Sequence, residues 1–413
     1  MTERSQSDET GRRVERHALV RNHNLHILLE TILRGGNISR VELAELTGLS
    51  KPTVNVLVRE LTSLGLVVRA GIRGGSVGRT AELYRAEPNA GMVLAVDVGA
   101  NRLRGATSNL FGEVLSERFI DAPRRGHLVR GIDSLARQLF QDAPSTTETL
   151  WVGVVGAPGV VDPSTGKLSL SMNIPDLMDL HLADVLGSLW GCPVVVDNDV
   201  NLAAVGELQH GCAKGIDNFA FLSIGNGVGL GAVVNGEVVR GSRGAAGEVG
   251  YLPLGDDPFG PASRRRGSLE EIAGAAGIRV AARRLRASGV ETLLGSRPTV
   301  EQIFEAAELG DPLGRAVLDR EARLLALAAM SISATLDPQV LILGGGVGGN
   351  PALVALVQKY LNELSPFAIE VRPSELRGRA ALFGALSVGL DRLRTTLLAL
   401  SHSRINTSGA SAR

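Results

Sequence analysis

The sequence predicts an α/β protein with a smaller, largely helical N-terminal part and a larger body made of two lobes. In the body, apolar strand-like runs end repeatedly in glycine turns, and a long helix rich in alanine and leucine spans Ala316 to Leu336. In the first ninety residues, short amphipathic segments alternate with glycine turns. At 413 residues the chain is too long for one ordinary core, so we expect two or three domains.

The composition indicates a soluble globular protein, with 44% hydrophobic and 21% charged residues. Its two cysteines, Cys192 and Cys212, cannot build a disulfide framework, which suits a reducing cytosol. No window reaches the roughly 18 apolar residues of a membrane span. The N-terminus is polar and acidic, unlike a signal peptide. We therefore expect a cytoplasmic protein with no membrane partner.

The net charge of zero hides an asymmetry along the chain. Between Gly11 and Arg85 there are twelve Lys plus Arg and six Asp plus Glu, a balance of +6, so the remainder carries −6. A basic N-terminal segment on an acidic body is typical of a module that contacts a polyanion.

Helical periodicity in the N-terminal part predicts three helices, the first from Asn22 to Arg34. A short second helix follows Ser39, which has capping-box spacing to Glu42, and a third begins after Ser50. A three-residue turn containing glycine joins the last two, which is a helix-turn-helix pattern. Its second helix would enter the major groove of DNA. The outward residues suited to contact DNA there are Lys51, Thr53, Asn55 and Arg59.

The segment after this helix pair predicts a wing. Leu66 to Ala70 and Thr80 to Tyr84 have the pattern of two strands, joined by a stretch rich in glycine and arginine. Arg73 and Arg79 would then be available to phosphates or the minor groove. The alternative is a small helical protein-interaction domain whose polar residues only face water. Helix pair, wing and positive charge together favour DNA.

Three predicted strands of the body run directly into glycine turns. Glycine lets the backbone approach a phosphate closely, and an adjacent Asp can hold Mg²⁺ or orient a nucleophile. One such turn is weak evidence, but three predict a divided nucleotide or sugar cleft between two lobes. The transitions are Met92–Val96 into Asp97-Val98-Gly99, Phe219–Ile224 into Gly225-Asn226-Gly227, and Val340–Leu343 into Gly344-Gly345-Gly346.

A fourth strand, Val194–Val196, ends in the polar stretch Asp197-Asn198-Asp199-Val200-Asn201. Ligands of open α/β sheets bind just past the carboxyl ends of strands, so this stretch predicts a polar site. The alternative is an N-cap for the helix-like segment Leu202 to Gln209, since Asp and Asn are favoured there. A cap needs only one of the four polar residues.

Read together, the body motifs resemble the ROK family (repressor, open reading frame, kinase) of the actin-like sugar-kinase superfamily. The resemblance spans roughly Asn22 to Leu393, and family members with an N-terminal winged helix-turn-helix are sugar-responsive repressors. The motifs, in the family's order, are Asp97-Val98-Gly99, Gly156-Ala157-Pro158-Gly159-Val160-Val161-Asp162, Asp197-Asn198-Asp199-Val200-Asn201, Gly225-Asn226-Gly227, Ala246-Gly247-Glu248-Val249-Gly250-Tyr251, Gly267-Ser268-Leu269-Glu270 and Gly344-Gly345-Gly346.

The resemblance implies roles for individual residues. Asp199 would bind sugar hydroxyls and act as the catalytic base in members that are kinases. Glu248 and Glu270 would bind hydroxyls near the anomeric end, because carboxylates suit vicinal hydroxyls. The sugar-binding set is Asn173, Asn198, Asp199, Glu248, Tyr251 and Glu270. The vestigial nucleotide-binding set is Asp97, Gly99, Gly225, Gly227, Gly344 and Gly345.

Departures from the family pattern argue against ATP. Kinase members carry Thr in the first two phosphate turns, where this chain has Asn101 and Asn226. A bulkier amide therefore replaces a hydroxyl twice. Asp97 and Asp199 remain, so weak phosphoryl transfer stays open.

The family's zinc site also differs. Many members bind Zn²⁺ through one His and a cysteine cluster, and Ser and Tyr hydroxyls are poor zinc ligands by comparison. We therefore predict no zinc and no other cofactor. The run Arg264-Arg265-Arg266 would pair with acids nearby or form a solvated basic loop. The positions corresponding to the zinc ligands are Tyr251, Pro261, Ser263 and Ser268, and the nearby acids are Asp256, Asp257 and Glu271.

These observations predict a sugar-responsive DNA-binding regulator, in particular a repressor, that binds a palindromic operator as a homodimer or homotetramer. The alternative is a ROK-family kinase that phosphorylates a hexose with ATP. The predicted divisions are a disordered N-terminus at 1–15, the winged helix-turn-helix at 16–88, the sugar-sensing domain at 89–400 and a disordered tail at 401–413. Within the sensing domain, lobe one takes residues 89–200 with helix 380–398, and lobe two takes 201–379.

Overall fold

The computed structural model describes residues 20–21, 23–74, 80–144, 149–170, 174–255 and 257–408. Four sequence predictions fall outside these residues and are not addressed by the structure. They concern the disordered segment 1–15 and the side chains of Arg79, Asn173 and Asp256.

The N-terminal domain is a three-helix unit closed by a three-stranded sheet of order β1-β3-β2. A capping box of Ser39 and Glu42 starts its second helix, and Gly48 ends that helix at φ 69°. Ser50 then caps the third helix, as its sequence position predicts. The elements are α1 (23–35), β1 (Ile38–Ser39), α2 (Arg40–Thr47), α3 (Lys51–Ser63), β2 (Val67–Arg73) and β3 (Ala81–Ala86).

The first sheet of the body has the order β10-β7-β4-β5-β6. Strands β4, β7 and β10 run parallel, while β4, β5 and β6 form an antiparallel meander. The strands are β4 (Gly91–Val98), β5 (Arg102–Asn109), β6 (Val114–Asp121), β7 (Leu150–Ala157), β8 (Val160–Val161), β9 (Leu168–Ser169) and β10 (Val194–Asn198), and the helices are α4 (Leu128–Asp142) and α5 (Leu182–Trp190).

The second sheet has the order β13-β12-β11-β14-β15, with β11, β14 and β15 parallel. Its helices surround a large apolar core centred on the alanine- and leucine-rich helix α11. The strands are β11 (Phe219–Ile224), β12 (Val228–Val234), β13 (Glu237–Val238), β14 (Val340–Gly344) and β15 (Glu370–Pro373). The helices that follow the first sheet in the chain are α6 (Asp199–His210), α7 (Pro261–Arg266), α8 (Ser268–Ala273), α9 (Ala275–Ala287), α10 (Val300–Glu308), α11 (Pro312–Leu336), α12 (Gly345–Gly348), α13 (Pro351–Leu364) and α14 (Ala380–Ser408), of which α14 packs on β4 and β7 of the first sheet.

Helices α6 and α14 cross at a pair of glycines. A Cβ atom placed on Gly206 would lie 2.1 Å from the Ala380 carbonyl oxygen. One placed on Gly384 would lie 1.8 Å from the Leu202 carbonyl oxygen. Only glycine permits this approach of the two backbones, so α6 is held closely against α14.

The buried carboxylate of Glu207 ties α6 to the connection between β15 and α14. One of its oxygens accepts hydrogen bonds from Ser374 Oγ (2.5 Å) and the Leu376 amide (3.1 Å). The other accepts one from the Cys212 amide (3.0 Å). A fully buried carboxylate needs such donors, so Glu207 fixes where α14 begins.

One hydrophobic cluster joins the N-terminal domain to the body. It runs from Leu25 and Leu61 through Val93 on β4 to Leu393 and Leu397 on α14. The helix that packs on α6 therefore also packs near the winged helix-turn-helix.

The disordered tail expected from residue 401 stays a prediction, and helix α14 continues to Ser408. The physical reason is that neither glycine nor proline interrupts the chain between Gly389 and Gly409. Residues 409–413 lie outside the described part of the chain. Within the described residues, no helix combines the length and apolar character needed to cross a membrane.

Candidate ligand cleft and nucleic-acid interface

A cleft of about 560 Å³ opens where the ends of β4, β10 and β11 meet the turns that follow them. Ten of the described residues predicted to bind sugar or nucleotide line it: Asp97, Gly99, Asn198, Asp199, Gly225, Gly227, Glu248, Tyr251, Glu270 and Gly345. Gly344 is absent from the lining, and its role is a close approach to Phe221, whose ring would lie 2.3 Å from an added Cβ.

Several carboxyl groups share this cleft and disfavour one another's ionisation. Burial, together with the Asp199 carboxylate, raises the pKa of Asp97 to about 7. Burial raises the pKa of Asp199 to about 6. Burial and the neighbouring Glu270 and Asp199 raise the pKa of Glu248 to about 7. Near neutral pH the cleft therefore holds both carboxylates and protonated carboxyls, which accept and donate hydrogen bonds respectively.

Asn198 combines the two interpretations of the polar stretch after β10. Its Oδ1 accepts from the Val200 and Asn201 amides (2.9 and 3.0 Å), which makes it the N-cap of α6. Its Nδ2 donates to the Gly159 carbonyl at 2.9 Å. The cap hypothesis is therefore right for this residue. Asp199 follows it as the first residue of α6 and borders the cleft.

Asp197, next to Asn198, has a structural role. Its carboxylate lies 2.6 Å from Arg240 Nη2 and the side chain is buried. Asp97, Asp199, Glu248 and Glu270, in contrast, line the open cleft.

Glu248, Tyr251 and Glu270 also line the cleft. Glu270 Oε2 accepts from the Val228 amide at 3.1 Å, which orients its carboxylate next to the turn after β11. The Tyr251 hydroxyl donates to the Arg265 carbonyl at 3.2 Å. Burial and the two glutamates raise the pKa of Tyr251, so its hydroxyl stays protonated; its one proton is donated to Arg265, and its oxygen can still accept a hydrogen bond.

Arg104 is a cleft residue that the sequence motifs do not single out. Its Nη1 lies 3.8 Å from Asp97 Oδ2 and donates to the Gly378 carbonyl. Asn101 and Asn226 border the cleft as well. The sequence could have indicated Arg104 through its position on the strand after Asp97, because a two-strand hairpin brings both side chains to one face of the sheet.

The residues at the family's zinc positions do not fit a metal ion. The hydroxyl of Ser263 donates to the Asp257 carbonyl at 2.8 Å, that of Ser268 donates to the Leu254 carbonyl, and that of Tyr251 donates to the Arg265 carbonyl. These hydroxyls are hydrogen-bonded as neutral donors, not arranged as ligands. Among the described residues, no group of three His, Cys, Asp or Glu side chains could hold a metal ion.

The run of three arginines after Gly260 belongs to the short helix α7. Among the described residues, it forms no ion pair with Asp257 or Glu271, so that predicted pairing is wrong. The three arginine side chains are exposed on the surface of the helix, and Arg266 borders the cleft. The exposed position of all three explains the absence of pairing, because solvated ion pairs gain little free energy.

Four of the residues predicted to contact DNA lie on helix α3. Lys51, Asn55 and Arg59 are exposed on one face, one turn apart. Thr53 is half-buried, and its hydroxyl lies 2.8 Å from Ser50 Oγ at the helix cap. Arg73 on β2 is held against α2 through Glu42 (2.6 Å), so this side chain is already paired. Sequence reasoning missed Val56, which lies on the exposed part of α3.

Together, these features define a protein with a winged helix-turn-helix and a body of the sugar-kinase type of α/β fold. A family model described as the ROK family matches residues 93–392, and one described as winged helix-turn-helix DNA-binding matches residues 21–68. The chain belongs to the ROK family.

Relatives with and without the N-terminal domain resemble this chain. A putative xylose repressor of Caldicellulosiruptor sp. (strain Rt8B.4) is 26% identical over 90% of this chain and 96% of its own length. A glucokinase of Thermotoga maritima is 31% identical over 73% and 98%. The crystal structure of a ROK family transcriptional regulator, a homologue of the E. coli MLC protein, has a TM-score of 0.73 at 24% identity and covers 93% of this chain and 99% of its own.

Proposed function

We propose that this protein is a sugar-responsive transcriptional repressor that acts on DNA in the cytoplasm. The observation that carries the proposal is the presence, in one chain, of an exposed α3 and a cleft lined by carboxyl and amide groups. The similarity to xylose repressors over 90% of the chain supports it.

The cleft suits a polyol ligand. Vicinal hydroxyls need paired donors and acceptors, and the cleft supplies both, because the raised pKa values of Asp199 and Glu248 allow either protonation state near neutral pH. Asn198 is already engaged on both sides of its amide, so its main role is to position Asp199 at the start of α6. We assign the direct sugar contacts to Asp199, Glu248 and Glu270, with the Tyr251 hydroxyl oxygen as a further acceptor.

A path of packed elements connects the cleft to the DNA-binding domain. Asp199 begins α6, and α6 is joined to α14 by the Gly206–Gly384 crossing and the Glu207 hydrogen bonds. Helix α14 shares the hydrophobic cluster of the N-terminal domain. A sugar that favours one position of α6 would therefore favour one position of that domain, which is a population shift.

The symmetry of a homo-oligomer predicts the form of its DNA site. A homodimer, alone or within a homotetramer, would present two copies of α3 to a palindromic operator. The two helices would lie about 34 Å apart, which is one turn of DNA. Sugar binding would release the operator by changing this spacing.

A hexose kinase is the second candidate, because Asp97 and Asp199 both border the cleft and glucokinases are among the relatives. Catalysis by this chain would require Asp199 to take the proton from the attacking hydroxyl. Three features weigh against it: Asn101 and Asn226 in the phosphate turns, and Arg104 beside Asp97.

The deciding experiment measures operator affinity in a panel of sugars, with ADP release followed in the same samples. The proposal expects one sugar to weaken DNA binding at least tenfold without ATP and without ADP release. Rapid ATP-dependent turnover of a hexose, combined with DNA binding that no sugar changes, would contradict it.

A further inference from the structure

The second turn of α3 exposes an apolar side chain that the domain core does not need. Val54, Leu57, Val58 and Leu61 form the buried face of this helix. Val56, in contrast, is 58% exposed. Pro52, one turn earlier on the same side, is exposed as well. The two residues form an apolar strip beside the polar row of Lys51, Asn55 and Arg59.

The charges around this strip indicate a polyanion as its partner. Three arginines elsewhere in the domain form ion pairs within it: Arg21 with Glu60, Arg40 with Glu82 and Arg73 with Glu42. Within the described part of the chain, Lys51 and Arg59 have no carboxylate partner. The positive charge that remains unpaired on α3 therefore brackets Val56, which favours a phosphate-bearing surface over an apolar protein surface.

The edges of base pairs in the major groove carry one apolar group, the C5 methyl of thymine. We propose that Val56, supported by Pro52, packs against a thymine methyl and is a specificity-determining residue for an A·T pair in each half-site. The adjacent Asn55 carries the amide that can pair with the N6 and N7 atoms of adenine, so the two side chains together read A·T steps. This inference rests on the proposed DNA-binding function.

The test first selects duplexes from a random pool with the full-length protein. Each thymine of the selected half-site is then replaced by deoxyuridine, which removes one methyl group and leaves the hydrogen-bonding edge unchanged. At one position per half-site we expect about fourfold weaker binding, the value of burying one methyl. Val56→Ala should lower the affinity for the thymine duplex and abolish its difference from the uridine duplex.

Two variants keep the result interpretable. Val41→Ala removes a similarly exposed valine (48%) from α2 and should retain the thymine preference. Val56→Thr keeps one methyl on an exposed helix position and replaces Val56→Ala if that variant does not fold; it should retain part of the preference.

The outcomes distinguish failure of this inference from failure of the proposed DNA-binding function. If selection yields no preferred duplex, the DNA-binding function itself fails. If selection succeeds but the uridine substitutions have no effect, or have the same effect on the wild type and on Val56→Ala, thymine recognition by Val56 is overturned and DNA binding stands. A selected half-site without thymine overturns it too.

Discussion

Arg104 and Asp97 are direct partners across the antiparallel strands β4 and β5, with Nη1 3.8 Å from Oδ2. The guanidinium also donates to the Gly378 carbonyl, just before α14. A carboxylate that a kinase would direct at metal and phosphate thus faces an internal cation. This pair and the two asparagines of the phosphate turns are the observations for which we place a kinase second among the proposed functions.

Removing this cation should destabilise the protein in a pH-dependent way. Arg104 lowers the pKa of Asp97, which burial has raised to about 7, so Arg104→Ala should raise that pKa further. Ionised Asp97 then lacks its partner at high pH. We expect a loss of about 1–2 kcal/mol in unfolding free energy at pH 8.5 and a smaller loss at pH 5.5. Chemical denaturation at both pH values measures it. Arg102→Ala is the control, because Arg102 stacks on Phe119 instead; equal losses at both pH values would contradict the expectation.

The acidic cleft should make stability fall as pH rises from about 4 to 7. Asp97, Asp199 and Glu248 have folded-state pKa values near 6–7, above the roughly 4 of the unfolded chain. In this interval the folded state binds more protons, so raising the pH favours unfolding. Glu248→Gln removes one ionisable group from the cluster and should add about 1–2 kcal/mol at pH 8 and little at pH 4.

Thermal unfolding across this pH range tests the cluster. Glu237→Gln, on the exposed strand β13, is the matched control and should leave the pH dependence unchanged. A wild-type stability that rises steadily from pH 4 to 7, with no gain in Glu248→Gln at pH 8, would be inconsistent with mutual repulsion in the cleft.

The local part of this structure could be predicted from the sequence. Strand β11 spans the predicted Phe219–Ile224, and Ser39 and Ser50 cap the helices that follow them, because apolar runs and caps depend on near neighbours. Glu207 and Ser374 are 167 residues apart, and nothing in either local pattern indicates their hydrogen bond. The roles of single residues therefore depended on tertiary contacts.

The same difference between local sequence patterns and tertiary contacts explains which site residues could be predicted. The cleft acids could be placed from motif order, since each follows a recognisable strand or glycine turn. Arg73 was expected at DNA, but the fold brings Glu42 within 2.6 Å of it. An ion pair between α2 and β2 depends on how the wing folds back, which no sequence spacing specifies.

Asp199→Asn should separate sugar sensing from DNA binding. The variant loses an acceptor for sugar hydroxyls while α6 keeps its Asn198 cap, so operator affinity without sugar should stay within about twofold. Sugar affinity should fall by about tenfold or more, since each lost hydrogen bond to a charged group is worth about 1.5–3 kcal/mol. Calorimetry measures the affinity for sugar, and anisotropy measures the affinity for the operator. Asp184→Asn, at an exposed position of α5, should change neither the sugar affinity nor the operator affinity. If sugar still released the operator normally from the Asp199→Asn protein, this result would argue against a sugar site at Asp199.

Gly206→Ala should disrupt the crossing between α6 and α14. The new methyl would meet the Ala380 carbonyl oxygen at 2.1 Å, and backbone cannot move aside as a flexible side chain can. We expect a loss of about 3 kcal/mol in unfolding free energy, at the upper end for overpacking. Gly295→Ala is the control, since nothing lies within 4 Å of a Cβ there. In folded Gly206→Ala protein, sugar should still bind but release the operator less effectively, and full release would rule out this crossing as the connection between the sites.

The salt dependence of operator binding tests which cations face DNA. Arg59 is exposed on α3 and unpaired among the described residues, so Arg59→Ala should weaken binding to specific and random duplexes alike. The slope of log affinity against log salt should fall in magnitude by about 1 for each phosphate that the variant no longer neutralises. Arg34→Ala removes an equally charged residue, 82% exposed and 4.0 Å from Glu30, and should leave the slope unchanged. Because the comparison removes the same charge from two surfaces of one domain, a shared reduction would indicate a general effect of net charge instead of direct phosphate binding by α3.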